Sequence, residues 1–192
     1  MKKILLSVLL LCLGCASLSA QKWYQVGFKI GTSFPLNRNY SVEGDRLTSI
    51  LDGEFNVFFR AGKVVYGEVG LGYAFYKGDF SNDNLGFSNV RVETRHLLLP
   101  VKVVANIKLG KSVTFLPAAG IIYQPILKIT DNTIGYDKNS ININQTLFVG
   151  GFDFKFGPIL LGVNYRSSLK RFFRYKEGVS FQYINICAGF QF

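Results

Sequence analysis

The stretch NQTLFVGGFDFKF, residues 144–156, carries a large apolar side chain at almost every second position of its later part. One face of the alternation holds Phe148, Gly150, Phe152, Phe154 and Phe156, and the other holds Leu147, Val149, Gly151, Asp153 and Lys155. Successive side chains of a β-strand point to opposite sides. The pattern therefore predicts a strand with one apolar face and one face that carries charge.

Seven further runs show the same period of two, near residues 23–31, 51–60, 65–76, 91–107, 113–129, 161–166 and 183–192. The run at 113–129 departs from the pattern, because it is apolar on both faces and contains Pro117 and Pro125, which strand interiors disfavour. After residue 20 no apolar stretch is long enough for a membrane helix. The sequence therefore predicts an all-β protein of eight strands.

The connections between the runs alternate in length. Short connections lie at 61–63, 108–112 and 157–158, and long ones lie at 32–49, 77–89, 130–143 and 167–178. An antiparallel up-and-down barrel with both termini on one side gives this alternation, with short turns in the periplasm and long loops outside. Aromatic residues near the run ends predict girdles at the two membrane interfaces; these are Trp23, Tyr24, Phe75, Tyr76, Tyr123, Phe148 and Tyr165.

Composition excludes a disordered chain, since 48% of the 192 residues are hydrophobic, 15% are aromatic and only 18% are charged. A sheet can cross hydrocarbon only if it closes on itself, because every backbone donor and acceptor must be paired there. The sequence thus predicts an eight-stranded transmembrane β-barrel in the outer membrane, with apolar faces toward lipid. A soluble secreted barrel such as a lipocalin is the alternative, and it would reverse the two faces.

The first twenty residues, MKKILLSVLLLCLGCASLSA, have the layout of a cleaved signal peptide. Lys2 and Lys3 precede an apolar run, and small residues extend to Ala20. We therefore expect a signal peptide at 1–20 and one barrel domain at 21–192. Lipidation at Cys15 is the alternative. Without the leader only Cys187 remains, which predicts no internal disulfide.

Basic residues outnumber acidic ones, and loss of Lys2 and Lys3 with the leader changes the formal charge from +10 to +8. In eight-stranded barrels side chains fill the lumen. Charged residues on the inward faces would be costly to bury unless they pair. We predict a lumen charge network of Lys29, Glu54, Arg60, Glu68, Lys102, Asp153, Lys155 and Arg166. Inward-facing glycines would make room for the large members of this set.

Several segments together carry a resemblance to a known family: HLLLPVK at 96–102, GGFDF at 150–154, NYR at 164–166 and the terminal Phe192. With the predicted leader and the eight alternating strands, they resemble the small outer-membrane β-barrel family (the outer membrane protein beta-barrel domain) that includes the PorT-like proteins. The resemblance covers the whole mature chain. It implies an outer-membrane location, and it implies that Phe190 and Phe192 form the signal read by the barrel assembly machinery.

The residues argue against catalysis. His96 is the one histidine, and its nearest hydroxyl neighbour on the same strand face is Thr94 rather than a serine. Arg91, Glu93, Arg95 and His96 are interpreted as a structural polar cluster. One histidine and one mature cysteine do not make a usual metal site, so we expect no metal and no cofactor. Nucleic acid is an unsuitable partner for an exported chain that lacks a phosphate-binding loop.

The best candidate for a binding surface is the last long loop, where Lys170, Arg171, Arg174 and Lys176 alternate with aromatic residues. These cations could bind the phosphates of lipopolysaccharide at the membrane rim. The sequence therefore favours a structural, surface-binding or secretion-associated accessory role, with outer-membrane lipid, lipopolysaccharide and an unidentified envelope protein as partners. A small porin-like channel is the main alternative, and a lipid A modifying enzyme is a further one.

Overall fold

The computed structural model describes residues 23–36, 45–82, 87–130, 142–170 and 182–192. The predicted signal peptide at 1–20 lies outside these residues. The described part forms nine strands. They are β1 (Tyr24–Pro35), β2 (Asp45–Gly62), β3 (Val65–Asn82), β4 (Phe87–Ala105), β5 (Ile107–Lys108), β6 (Val113–Thr130), β7 (Asn144–Phe156), β8 (Ile159–Ser168) and β9 (Gln182–Gln191). Among the described residues no helix is long and apolar enough to cross a membrane.

The strands form one closed antiparallel sheet. The order around it is β4-β3-β2-β1-β9-β8-β7-β6, and β4 pairs with β6 to close the ring. The two-residue strand β5 continues β4 beyond Asn106 and also pairs with β6. β4 and β5 therefore occupy one position in an eight-stranded up-and-down barrel, and the predicted fold class is confirmed.

Three short turns lie at one end of the barrel, which we call the turn end, near residues 63–64, 109–112 and 157–158. At the opposite end, the loop end, strands extend farther than the alternation predicts. Asp45 pairs with Asn82, and Asn82 pairs with Phe87, so parts of the predicted loops 32–49 and 77–89 are strand. Backbone ladders depend on neighbouring peptide groups rather than on side-chain polarity, which explains why hydropathy alone misplaces these boundaries.

Three prolines inside strands coincide with interruptions of a ladder. In the β3–β4 ladder Pro100 has no paired residue, and in the β4–β6 ladder Pro125 has none. Near Pro117 the partner strand breaks at Asn106. Each proline is still paired on its other side. A proline lacks one backbone donor, so a strand tolerates it where only one of its two ladders is interrupted.

The barrel has an apolar exterior and charged groups inside. Side chains that point outward from mid-strand positions include Phe55, Val57, Val69, Leu71, Val101, Val103, Ile121, Phe148, Phe152, Leu161 and Ile186, all of which are exposed. The lumen-facing charges, with the exception of Lys155, are almost completely buried. A soluble barrel requires the opposite distribution, so that alternative is wrong. The arrangement is the one that a barrel needs in order to face hydrocarbon.

The lumen is less polar than the face assignment predicts. Two apolar clusters lie inside it: Phe58, Tyr66, Val104, Leu116 and Leu160 form one, and Ala74, Leu98, Ile122, Leu147 and Val149 form the other. Both clusters take side chains from β6. This explains why the run at 113–129 is apolar on both faces: one face meets lipid, and the other completes the interior.

Candidate functional site in the barrel lumen

Alternation along β1, β2, β3, β4 and β7 aims five charged side chains into the same part of the lumen. Arg60 of β2 lies at the centre and is completely buried. Its Nε donates to Glu68 Oε2 at 2.6 Å, and its Nη2 donates to Asp153 Oδ2 at 2.9 Å. Its Nη1 donates to Gln191 Oε1 at 2.7 Å. The planar guanidinium holds its donors on three nitrogens in a fixed fork, whereas the three donors of a lysine radiate from a single nitrogen.

Each of the two carboxylates that accept a hydrogen bond from Arg60 also binds a lysine. Lys29 Nζ lies 2.6 Å from Asp153 Oδ2, and Lys102 Nζ lies 2.8 Å from Glu68 Oε1. The result is a chain of alternating charge, Lys29–Asp153–Arg60–Glu68–Lys102, which we call the lumen ion-pair chain. Because Asp153 comes from β7 and its partners come from β1 and β2, this chain links strands that are not neighbours in the sheet.

A second ion pair ties β2 to β8. Arg166 Nη1 and Nη2 donate to the two Glu54 oxygens at 2.6 and 2.8 Å. Both side chains are 7% exposed. Two parallel bonds fix the orientation of both groups as well as their distance, so the pair holds opposite parts of the wall at a set separation.

Glycines supply the room that these side chains need. A Cβ on Gly27 would lie 2.8 Å from one atom of the Phe58 ring and closer still to another. That ring in turn lies beneath the cation of Arg60, with 4.6 Å between guanidinium and ring centroid. A Cβ on Gly162 would collide with Asp153 Oδ1. Small residues on one strand thus make room for the Phe58 ring and the Asp153 carboxylate of the neighbouring strands.

Lys155 is the member of the predicted network that the structure does not pair. Its side chain is half-buried, and within the described residues it forms no salt bridge. It lies two positions beyond Asp153 toward the turn end on the same face of β7. The structure therefore brings together seven of the eight predicted residues, in two separate groups.

The polar cluster predicted around His96 is divided between two faces of β4. Glu93 lies outward-facing between Lys77 and Arg95, at 3.4 Å from each. His96 is buried on the lumen side, where its Nε2 lies 2.8 Å from Thr94 Oγ1. The side chain of Arg91 lies outside the described part of the structure.

Tyr76 belongs to this inner group rather than to an interfacial girdle. Its ring meets His96 edge-on at 4.8 Å between centroids, and it stacks on Tyr183 at 6.2 Å. Gln124 Nε2 lies 3.2 Å from His96 Nδ1. The ring of His96 is therefore enclosed by polar and aromatic neighbours on several sides.

Sequence reasoning missed the neutral amides that extend the lumen ion-pair chain toward the turn end. Gln191 Nε2 donates to Gln25 Oε1 at 2.6 Å, and Gln25 Nε2 donates to the Tyr66 hydroxyl at 3.3 Å. Asn106 Nδ2 also donates to that hydroxyl, at 2.7 Å. A signal for them was present, because they lie on the same strand faces as the charged residues, but neutral side chains give no charge pattern to follow.

The predicted surface residues lie mostly outside the described part. Lys170 is exposed just beyond β8 at the loop end, whereas Arg171, Arg174 and Lys176 lie outside the described residues. Phe190 and Phe192 are outward-facing and about half exposed. Phe192 exchanges backbone hydrogen bonds with Val26, and Phe190 packs on Phe28 at 5.7 Å between ring centroids. The end of β9 is thereby fixed to β1.

No protein-family model matches the chain, and no curated protein sequence matches it. Solved structures of small outer-membrane barrels are similar in fold. The outer membrane enzyme PagL matches with a TM-score of 0.51 and 13% identity, over 87% of this chain and 97% of that one. The Yersinia pestis outer membrane protein Ail gives 0.43 and 16%, over 88% and 99%. LpxR from Salmonella typhimurium gives 0.38 and 12%, over 88% and 84%.

The likeness to PagL shows that this chain has the fold of a small outer-membrane β-barrel. The closed ring of eight strands and the apolar exterior agree with it. The finer resemblance to PorT-like proteins stays a prediction.

Proposed function

We propose that this protein is a non-conducting outer-membrane β-barrel with a structural, surface-binding or secretion-associated accessory role, and that it is not an enzyme. The observation that carries the proposal is the lumen ion-pair chain, in which Arg60 is 0% exposed and Glu68 is 1% exposed. Buried ions this well paired leave no water-filled path at their level. The two apolar clusters fill further parts of the same interior.

The apolar exterior supports placement in the outer membrane. The turn end would face the periplasm, and the loop end would face outward, as the short turns and longer connections of such barrels require. Export would use the signal peptide at 1–20, and insertion would use the barrel assembly machinery, with Phe190 and Phe192 as its signal. The outer wall would contact outer-membrane lipid along all eight strands.

Conductance tests the closed lumen against the porin-like alternative. Purified protein that shows the heat-dependent gel mobility of a folded barrel is added to a planar lipid bilayer, and no discrete current steps are expected. A variant with Lys29→Ser, Arg60→Ser and Asp153→Ser tests the apolar clusters separately: because they still fill the lumen, it should also show no current steps if it retains that mobility. Discrete channels from the unaltered protein would refute the closed lumen.

The enclosure of His96 supports a role without catalysis. His96 and Thr94 are 3% and 6% exposed and lie inside the barrel, away from acyl chains on the outer wall. A lipid-modifying enzyme needs its base and nucleophile at the lipid. Mass spectrometry of lipid A from cells with and without the protein should show identical acyl and phosphate patterns. An altered pattern would establish the enzyme alternative instead.

The basic residues after β8 support a surface-binding role at the loop end. Lys170 is exposed, and Arg171, Arg174 and Lys176 follow it in sequence. Arg171→Ser with Arg174→Ser should lower the amount of lipopolysaccharide that co-purifies with the barrel, because charge-assisted bonds to phosphate are lost. Lys108→Ser with Lys111→Ser, at the opposite end, is the control of equal charge. Unchanged co-purification would discard lipopolysaccharide as the ligand of this loop.

A further inference from the structure

At the turn end, the turn between β2 and β3 is bound to the residue that follows β4. The backbone N–H of Asn106 donates to Val64 O at 2.8 Å, and its Nδ2 lies 3.4 Å from Lys63 O. Asn106 is the residue that separates β4 from β5. It therefore joins the turn between β2 and β3 to the end of β4, from which β5 leads to the turn at 109–112.

The turn between β2 and β3 has a fixed shape. Gly62 adopts a φ of +145°, and a Cβ there would collide with Val65 O. Gly62 N also donates to Trp23 O at 2.9 Å. This bond brings Trp23 beside the turn, and Lys63 Nζ lies over its ring at 3.9 Å from the centroid.

These contacts hold Trp23, Lys63 and Val64 together, and the neighbouring turn at the same end carries Lys108, Leu109 and Lys111. We call these six residues the basic turn rim. The apolar members are more exposed than a water-facing turn requires: Val64 is 71% exposed, Leu109 is 60% and Trp23 is 55%. The three lysines are exposed as well. The rim therefore combines apolar projections with positive charge.

Carboxylates within the described residues do not neutralise the rim. Lys63, Lys108 and Lys111 form no salt bridge there. The inward carboxylates of β3 and β7, Glu68 and Asp153, are already bound to Lys102, Arg60 and Lys29. The positive charge of the rim is thus available to an outside partner.

We propose that the basic turn rim binds anionic phospholipid headgroups of the periplasmic leaflet. The inference rests on the proposed outer-membrane placement, and it concerns the leaflet opposite to the lipopolysaccharide. The rim continues the apolar outer wall through Val65 and Ile107, which are 56% and 45% exposed. A partner that covers it must therefore present acyl chains beside the wall and negative charge beside the lysines. Tryptophan and lysine side chains suit that interface, and a phospholipid with an anionic headgroup matches both parts.

Trp23 is the single tryptophan of the chain and reports directly on the rim. The folded barrel is reconstituted into vesicles that contain either phosphatidylglycerol or phosphatidylcholine with brominated acyl chains, and quenching of Trp23 fluorescence is compared. We expect an association constant for phosphatidylglycerol about threefold above that for phosphatidylcholine, because one headgroup meets one or two lysines. The preference should disappear at about 0.5 M salt, where the Debye length is only a few ångströms.

Lys108→Ser with Lys111→Ser should bring the ratio of the two association constants close to one while Lys63 stays over Trp23. The matched control is Arg95→Ser with Lys128→Ser, which removes two exposed cations at paired positions on the loop-end side and should leave the ratio unchanged. Equal quenching by both lipids in the unaltered protein overturns the inference, and so does the same loss in both double variants. If neither lipid quenches Trp23, or if no heat-modifiable form is obtained, the barrel placement itself has failed.

Discussion

Replacement of Asp153 by asparagine tests whether the lumen ion-pair chain stabilises the barrel. Asp153 Oδ2 receives Lys29 Nζ at 2.6 Å and Arg60 Nη2 at 2.9 Å. Asparagine keeps the size and one acceptor oxygen but removes the negative charge. Arg60 would retain Glu68 and Gln191 as partners, whereas Lys29 would lose its salt bridge. The main effect is therefore one buried ammonium without a counter-ion.

Breaking a buried ion pair from one side costs about 3–5 kcal/mol. Because the asparagine oxygen can still accept a hydrogen bond from Lys29, we expect Asp153→Asn to lower the free energy of unfolding by about 3 kcal/mol. Adding Lys29→Met removes the unpaired charge, so the double variant should regain about half of the loss. Such recovery distinguishes a charge effect from a packing effect.

Urea unfolding in detergent micelles, followed by Trp23 fluorescence, measures the loss in the single variant and the recovery in the double variant. Lys155→Met is the matched control: it removes a lysine from the same lumen face that forms no salt bridge among the described residues, and we expect a change below about 1 kcal/mol. A loss of less than 1 kcal/mol for Asp153→Asn, or a double variant that is no more stable than the single one, would refute the reasoning.

Three further predictions concern other parts of the barrel. Gly27→Val should cost about 1–3 kcal/mol through collision with the Phe190 carbonyl oxygen and with the Phe58 ring. Phe58→Leu in the same chain relieves only the ring contact and should recover part of the loss in the same urea assay. Ile121→Arg, at an exposed position of the outer wall, should lower the free energy of unfolding in vesicles by about 2–4 kcal/mol relative to Ile121→Ala. An equal free energy of unfolding for the two variants would mean that this site does not face hydrocarbon. Glu54→Gln should lower the free energy of unfolding by about 3 kcal/mol because buried Arg166 loses its bidentate partner. An unchanged temperature for the conversion of the folded gel band to the unfolded one would contradict this.

Several features of the fold follow from side-chain alternation that is visible in one strand at a time. Asp153 and Lys155 lie opposite Phe152 and Phe154 in the sequence pattern, and the structure places Asp153 inside and Phe152 outside. The number of strands and the three short turns are readable for the same reason, since alternation and turn residues are local properties. Strand ends at the loop end are not readable, because they depend on whether a neighbouring strand continues beside them.

The sequence alone determined which charges face the lumen, because period two fixes the side of the sheet on which a residue lies. Which charge binds which was decided by the tertiary structure. Lys29 and Asp153 are separated by 124 positions, and Lys155, on the same face as Asp153, forms no salt bridge within the described residues. Pairing across a lumen depends on strand register and barrel shear, which are set only when β4 meets β6 and the ring closes. The bond from Asn106 N to Val64 O, which continues the β3–β4 ladder beyond Ala105, is likewise a contact that no periodicity in the chain indicates.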